Sequence, residues 1–276
     1  MTDKKTIVIR GGGDLATGVI QKFFRAGFNV LVLETESPTA IRRGVALCEA
    51  VYDGIKTVED TICKKISKPN EIKACEQEGV VPLLIDPTGS LIKDIKPAAV
   101  IDAIIAKRNL GTTRSMADIT IALGPGFNAG KDEHAVIETK RGHDLGRLIL
   151  KGYASPDTGI PGEINGESVR RVIHSPADGT LKHIKQIGSL VKQGESLFTI
   201  NGEEVEAPMD GLLRGLIRDG LEIKKGMKIA DIDSRKQADW RTISDKARCI
   251  GGAVLEAFLY LERLNKEQTS GSIHNE

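Results

Sequence analysis

The chain has 276 residues, 40% of them hydrophobic and 28% charged, with a formal net charge of +1. That length suits about two domains of an ordinary globular protein. The near-neutral balance supplies no field to gather nucleic acid or an acidic membrane surface, so neither is an expected partner.

No uncharged apolar run reaches the roughly 18 residues of a membrane helix, and the opening MTDKKTIVIRGGG enters a glycine loop after a few apolar residues. The expected location is therefore cytoplasmic. Cys48, Cys63, Cys75 and Cys249 lie far apart without a CxxC, which fits buried thiols in a reducing compartment. His134, His143, His174, His183 and His274 form no HxH or HExxH cluster. A metal centre is not expected.

In chain order, TIVIR reads as a strand, GGGDLATG as a glycine turn, VIQKFFRAG as a helix and FNVLVLE as a second strand. Gly11, Gly13 and Ala16 satisfy G-x-G-x-x-(G/A), and Glu34 closes the second strand about 20 residues on. In that context glycines admit a phosphate to the helix amino end, and a carboxylate on the next strand can accept from both ribose hydroxyls. The candidate cofactor-binding residues are thus Gly11, Gly12, Gly13, Asp14, Leu15, Ala16 and Glu34. Glu34 would repel a 2′-phosphate, which disfavours NADP unless Arg42 and Arg43 swing in. Asp14 points the other way: a carboxylate on the first helical turn is stabilised by the helix dipole without any ligand, so a self-capped, empty turn stays open as an alternative.

Further strands are expected at 80–86, 98–106, 118–124 and 135–139, joined by long helical crossovers into a parallel sheet. Ligands of such sheets lie beyond the carboxyl ends of the strands. This adds GPGFNAGKDEH and KRGHDLGR to the candidates, with Gly124, Gly126 and Gly130 for close backbone approach and Asn128, Lys131, Arg141 and His143 as polar groups. Arg114, in GTTRSMAD, is a candidate anion clamp or a surface ion pair. For the loop glycines and Pro125 a plain turn, and for His143 a helix-start position, are the competing readings.

GYASPDTGIPGEING, 152–166, is a Pro/Gly-rich connection. Beyond it an offset of 32 residues superimposes SPADGTLKHIKQIGSLVKQGESLFTI on APMDGLLRGLIRDGLEIKKGMKIADI, matching Asp178 with Asp210, Gly179 with Gly211 and Lys192 with Lys224. Asp-Gly and Lys-x-Gly turns between alternating apolar residues predict a small two-layered β unit. This stretch, 172–234, resembles the biotinyl/lipoyl barrel-sandwich hybrids. In carriers of that family a lysine on the central hairpin holds the prosthetic group. The hairpin here, INGEEVEAP, has none, so covalent biotin or lipoate is not expected, and a structural or docking role is. Glu195, Glu203, Glu204 and Glu206 would form an acidic rim or a solvated face.

TISDKARCIGGAVLEAFLYLERL predicts a helix capped by Ser244, with Ile250, Val254, Leu255, Phe258 and Leu259 on its apolar face. Close backbone packing is expected to offset Gly251 and Gly252. The expected fold class is α/β: a Rossmann-like parallel sheet domain (1–166), an inserted all-β barrel-sandwich domain (167–234), a C-terminal helix (235–266) returning to the α/β domain, and a flexible tail (267–276).

VIRGGGDLATG, LETESPTAIRRGVALCEAVYDG, DAIIAKRNLGTTRSMADITIALGPGFNAGKDEHAVIETKRGHDLGRLI and ISDKARCIGGAVLEA together resemble the YqeB family of selenium-dependent molybdenum hydroxylase system proteins, over nearly the whole chain. The resemblance implies an accessory or maturation role, with a molybdenum hydroxylase or its maturation machinery as partner. The ligand expected at the glycine loop is NAD, another adenine nucleotide or a molybdopterin-type molecule. An NAD-dependent oxidoreductase or nucleotide-using transferase with His143 as acid/base, and a docking protein with an empty loop, are the alternatives. Homo-oligomerisation stays open.

Overall fold

The computed structural model describes residues 4–272. The chain divides into two compact units. The first takes the chain up to Pro38, then Leu47–Asp157, and resumes at Ser244; the second takes Thr39–Ala46 and Thr158–Ile243.

The first unit opens with β1 (Thr6–Arg10), α1 (Asp14–Arg25) and β2 (Asn29–Glu34). A short helix α2 (Ala50–Asp53) leads into the hairpin of β3 (Ile55–Val58) and β4 (Thr61–Lys65). Then come α3 (Ile72–Glu78), β5 (Val81–Ile85), α4 (Ile92–Ile95), β6 (Ala99–Asp102) and β7 (Thr120–Leu123). The short strands β8 (Asn128–Ala129), β9 (Ala135–Ile137), β10 (Leu148–Ile149) and β11 (Gly152–Tyr153) complete the run. One nine-stranded sheet has the order β10-β9-β7-β6-β1-β2-β5-β4-β3. Every pairing from β9 across to β4 is parallel, and the end pairs β10/β9 and β3/β4 are antiparallel. The unit is α/β, and the strand order reverses at β1, with β2 on one side and β6 on the other.

Ile7, Val8 and Ile9 are fully buried, as a central parallel strand covered on both faces requires. Val8, Leu31, Leu33, Leu84 and Val100 share one core cluster with Ile66, Cys75 and Ile92. Elsewhere in the unit, Phe23 of α1, Phe28 and Phe258 meet edge to face, with centroids 5.2 to 5.6 Å apart. Phe258 lies on α5 (Asp245–Ser272), which packs along α1. The approach is close because both helices carry glycine at the contact: a Cβ on Gly18 would stand 2.3 Å from the Ala247 carbonyl oxygen, and one on Gly251 would stand 2.4 Å from that of Gly18. Gly252 has no such neighbour within 4 Å, so the expected packing reason holds for Gly251 alone. Ser244 caps α5 as its sequence predicts, its hydroxyl accepting from Ala247 N at 3.2 Å. Ile250, Val254 and Phe258 are fully buried, whereas Leu259 is 50% exposed. The helix continues to Ser272, which makes 267–272 helical rather than tail; 273–276 lie outside the described residues.

One expectation about connections is corrected. Residues 103–119, between β6 and β7, form no α-helix and carry only a 3-10 turn at Arg114–Met116. The Asn109 side-chain oxygen accepts from Gly111 N and Thr112 N at 2.8 and 2.9 Å, an alternative to helical bonding that turns the chain. The β3/β4 hairpin was not anticipated, because Lys56, Lys64 and Lys65 dilute the alternation of its apolar residues.

The second unit contains β12 (Val172–His174), β13 (Gly179–His183), β14 (Leu190–Val191), β15 (Ser196–Ile200), β16 (Glu203–Glu206), β17 (Gly211–Leu216), β18 (Glu222–Ile223) and β19 (Lys228–Asp233). They make two four-stranded antiparallel sheets, β12-β19-β17-β14 and β16-β15-β13-β18. The 32-residue repeat exchanges them strand for strand: β12 falls on β16, β13 on β17, β14 on β18 and β15 on β19. The turns obey the same exchange. Asp210 accepts from Gln193 N at 2.9 Å and pairs with Lys192, and Asp178 accepts from Lys225 N at 2.7 Å and pairs with Lys224. Each half thus ties its Asp-Gly turn to the Lys turn of the other. Leu181, Leu197, Phe198, Leu213, Ile229 and Ile232 fill the core. The β15–β16 connection is the tight pair Asn201-Gly202, both at positive φ (51° and 91°), as a two-residue hairpin demands. Segment 39–46 joins this unit through Leu216 N, which donates to the Ile41 carbonyl, and Arg43 Nε, which donates to that of Leu216.

Candidate functional site

The glycine loop follows β1 at the carboxyl edge of the parallel sheet. Gly11 has a φ of +95°, and a Cβ there would stand 2.9 Å from the Ala103 carbonyl oxygen, at the exit of β6. Gly12 lies against Cys48: a Cβ on it would stand 3.0 Å from the Cys48 backbone nitrogen, and its carbonyl accepts from Cys48 N at 2.8 Å. These two glycines therefore serve the protein's own packing. Gly13 differs: a Cβ there would meet nothing within 4 Å. It caps α1 in an extended conformation, and Thr17 N closes the first helical bond onto its carbonyl at 2.8 Å. The open side of the loop is thus at Gly13, where the first turn of α1, with Asp14 and the half-buried Leu15, begins. Ala16 is buried.

Glu34 ends β2 beside this loop. Its Oε2 accepts from Gly12 N and its Oε1 from Thr35 N, each at 2.8 Å. Burial raises its pKa, and the two amide donors offset part of that rise. The carboxylate thus holds one of the amides that a glycine loop offers to an anion. Thr17 adds a second closure, its hydroxyl donating to the Gly13 carbonyl at 2.9 Å and accepting from Leu47 N at 3.0 Å. Residues 47–48 are thereby stapled across the loop. Cys48 is buried, and burial with Glu34, Glu49 and Cys63 nearby pushes its thiol well up, so it stays protonated.

Beneath the loop lies a buried polar cluster absent from the sequence candidates. Arg10, 1% exposed, donates to the Thr112 hydroxyl and, at 2.8 Å, to the Pro87 carbonyl, with Asp102 at 3.9 Å. Thr112 in turn donates to Asp102. One guanidinium so joins the loops that leave β5 and β6. The available signal was a charge ending each of two apolar strands, TIVIR and AVID, whose last residues are register partners. Glu133 is fully buried, and burial pushes its pKa up to about 7, with the Thr120 hydroxyl offsetting part of the rise.

Most of the other sequence candidates contact the protein's own groups. Gly124 faces the Thr139 hydroxyl, Gly126 the backbone of Arg108 and Gly130 the Leu150 carbonyl, with a Cβ at 2.6, 2.6 and 3.1 Å respectively. All three have positive φ, so they are turn glycines packed on protein. Asn128 donates from its side chain to the Tyr153 hydroxyl at 2.9 Å and from its backbone to Asp132. Arg114 donates to the Gly130 carbonyl at 2.9 Å. His143 is exposed on a turn, and Arg141 pairs with Asp245 on α5.

No family model matches the chain. It is 50% identical over 256 residues to the uncharacterized protein YqeB of Escherichia coli strain K12, a match that takes in 92% of this chain and 47% of the relative. The chain thus spans about half the length of the curated relative it matches, and the match supports the YqeB resemblance. Among solved structures, the product-bound and apo forms of the ectoine utilization protein EutE (DoeB) from Ruegeria pomeroyi align over 83% of this chain and 85% and 86% of theirs, at 12% identity. Their TM-scores of 0.26 and 0.25 carry no argument about fold or chemistry. In the described residues no helix is long and apolar enough to cross a membrane.

Proposed function

We propose that this chain is a YqeB-family protein serving as an accessory or maturation factor for a selenium-dependent molybdenum hydroxylase, and that its glycine loop holds a nucleotide or pterin-type ligand through phosphate. The family reading rests on the 50% identity to YqeB over 92% of the chain. The ligand reading rests on one observation: Gly13, at the amino end of α1 and at the reversal of strand order, is the loop glycine that faces open space while Glu34 stands beside it. In open α/β sheets that location takes phosphates, with the helix end and its free amides supplying the attraction. Glu34 would exchange its bond with Gly12 N for the hydroxyls of a ribose or the polar edge of a pterin. The two units would then be a Rossmann-like sheet domain and a lysine-less barrel-sandwich domain, the latter a docking surface.

A second reading is favoured by the closures at Gly11, Gly12 and Thr17. A loop already capped by Glu34 and stapled by Leu47–Cys48 would be empty, and the protein would act by docking alone. Capture of the hydroxylase separates the two. In the ligand reading Gly13→Asp, which keeps the backbone but fills the open side with a carboxylate, weakens ligand binding and its effect on capture together. If capture is unchanged in Gly13→Asp and Glu34→Ala, and neither the parent nor the variants bind ligand, docking alone is the function.

A further inference from the structure

At the opposite, amino-terminal edge of the sheet, a cavity of about 1050 Å³ opens where the chain enters β6, β7 and β9. It is lined by Lys93 and Lys96 around the end of α4, by Arg114 and by His134, with Asp118 as the opposing charge. Its apolar wall comes from Ile92, Pro97 and Met116. Cations therefore outnumber anions at its rim, and the size is that of a small-molecule site rather than of a single ion. His134 is oriented by the fold. Its Nδ1 accepts from Thr120 N at 3.0 Å and lies 2.9 Å from the Thr120 hydroxyl, which leaves the proton on Nε2. A neutral imidazole then offers one fixed N–H donor on a side chain that lines the cavity, beside three flexible or forked cationic donors.

We propose that this cavity is a binding site for a small phosphate-bearing organic molecule, its anion held by Lys93, Lys96, Arg114 and the His134 Nε2–H, and its body against Ile92 and Met116. The site stands on the sheet edge away from the glycine loop and does not depend on the function proposed for that loop. Backbone and hydroxyl contacts of Thr120 fix the imidazole donor in advance, which is what separates this rim from a scatter of surface lysines.

The test uses the full chain labelled with 15N-histidine, with phenyl phosphate as probe and phenol as its uncharged counterpart. Long-range 1H–15N spectra report each imidazole, and His134→Gln assigns the resonance. Phenyl phosphate is expected to shift the His134 Nε2 signal saturably, and phenol to leave it in place. The double variant Lys93→Gln/Lys96→Asn changes two exposed side chains, and asparagine suits the positive φ of 49° at position 96. With its melting temperature unchanged, it is expected to weaken the phosphate effect by about tenfold or more. Gly13→Asp is expected to leave the effect intact. A silent His134 signal, an equal response to phenol, undiminished affinity in the double variant, or loss of the effect in a folded Gly13→Asp protein would each overturn the site.

Discussion

Arg10 has a large single-residue effect to reveal. It is a buried cation whose partners lie on two separate loops, so Arg10→Ala leaves the buried Asp102 carboxylate, still bonded by Thr112 and Ile104 N, without its cation and frees the Pro87 carbonyl at once. A loss of about 3–5 kcal/mol is expected in denaturant unfolding, against a much smaller change at the exposed Arg147. Glu133 makes the opposite case. Its carboxyl titrates at about 7 in the folded chain, raised by burial from an ordinary 4.5. Below 4.5 the group is protonated in both states and contributes nothing adverse; between 4.5 and 7 the unfolded chain ionises while the buried carboxyl keeps its proton, so stability falls across that window and levels off above 7. The rise in pKa corresponds to about 3 kcal/mol. Glu133→Gln is therefore expected to be more stable than the parent at pH 8 and close to it at pH 4, with the difference read from unfolding midpoints. Equal differences at both pH values would contradict the assignment.

At the scale of elements, the pairing of α1 with α5 hinges on two small residues. Gly251→Ala puts a methyl 2.4 Å from the Gly18 carbonyl oxygen and must push the helices apart. It is expected to destabilise by about 1–3 kcal/mol. Its neighbour Gly252 meets nothing within 4 Å, and Gly252→Ala is expected to stabilise by about 1 kcal/mol, through helix propensity alone. Thermal unfolding of the two single variants gives opposite signs if the packing is as described. α5 was legible in the sequence because a Ser cap precedes a 3.6-residue apolar repeat. β1, β2, β5, β7 and β9 were legible as apolar runs between turns. The β6–β7 connection was not, since the Asn109 side chain replaces helical bonds by a local rule that apolar spacing does not carry. The glycine loop was legible as a motif. Which of its glycines faces outward was not, because that depends on Ala103 and Cys48, distant in sequence.

For the whole molecule, the second unit is where sequence and architecture correspond most closely: a 32-residue offset carries one sheet onto the other, down to the paired Asp178 and Asp210 turns. Segment 39–46 is not legible in the sequence because TAIRRGVA has no strand or helix period and joins that unit through isolated bonds to Leu216. The functional account rests on the first unit. Its central claim is that Gly13 and Glu34 hold a phosphate-bearing nucleotide or pterin, and thermal unfolding of the full chain against NAD, NADP, S-adenosylmethionine, ADP, CTP and molybdopterin tests it most directly. One ligand at a hundred times its dissociation constant is expected to add about 2.7 kcal/mol, roughly 5–10 °C, and the shift should vanish in Glu34→Ala. No shift with any of the six, or a shift that Glu34→Ala leaves intact, would contradict the claim.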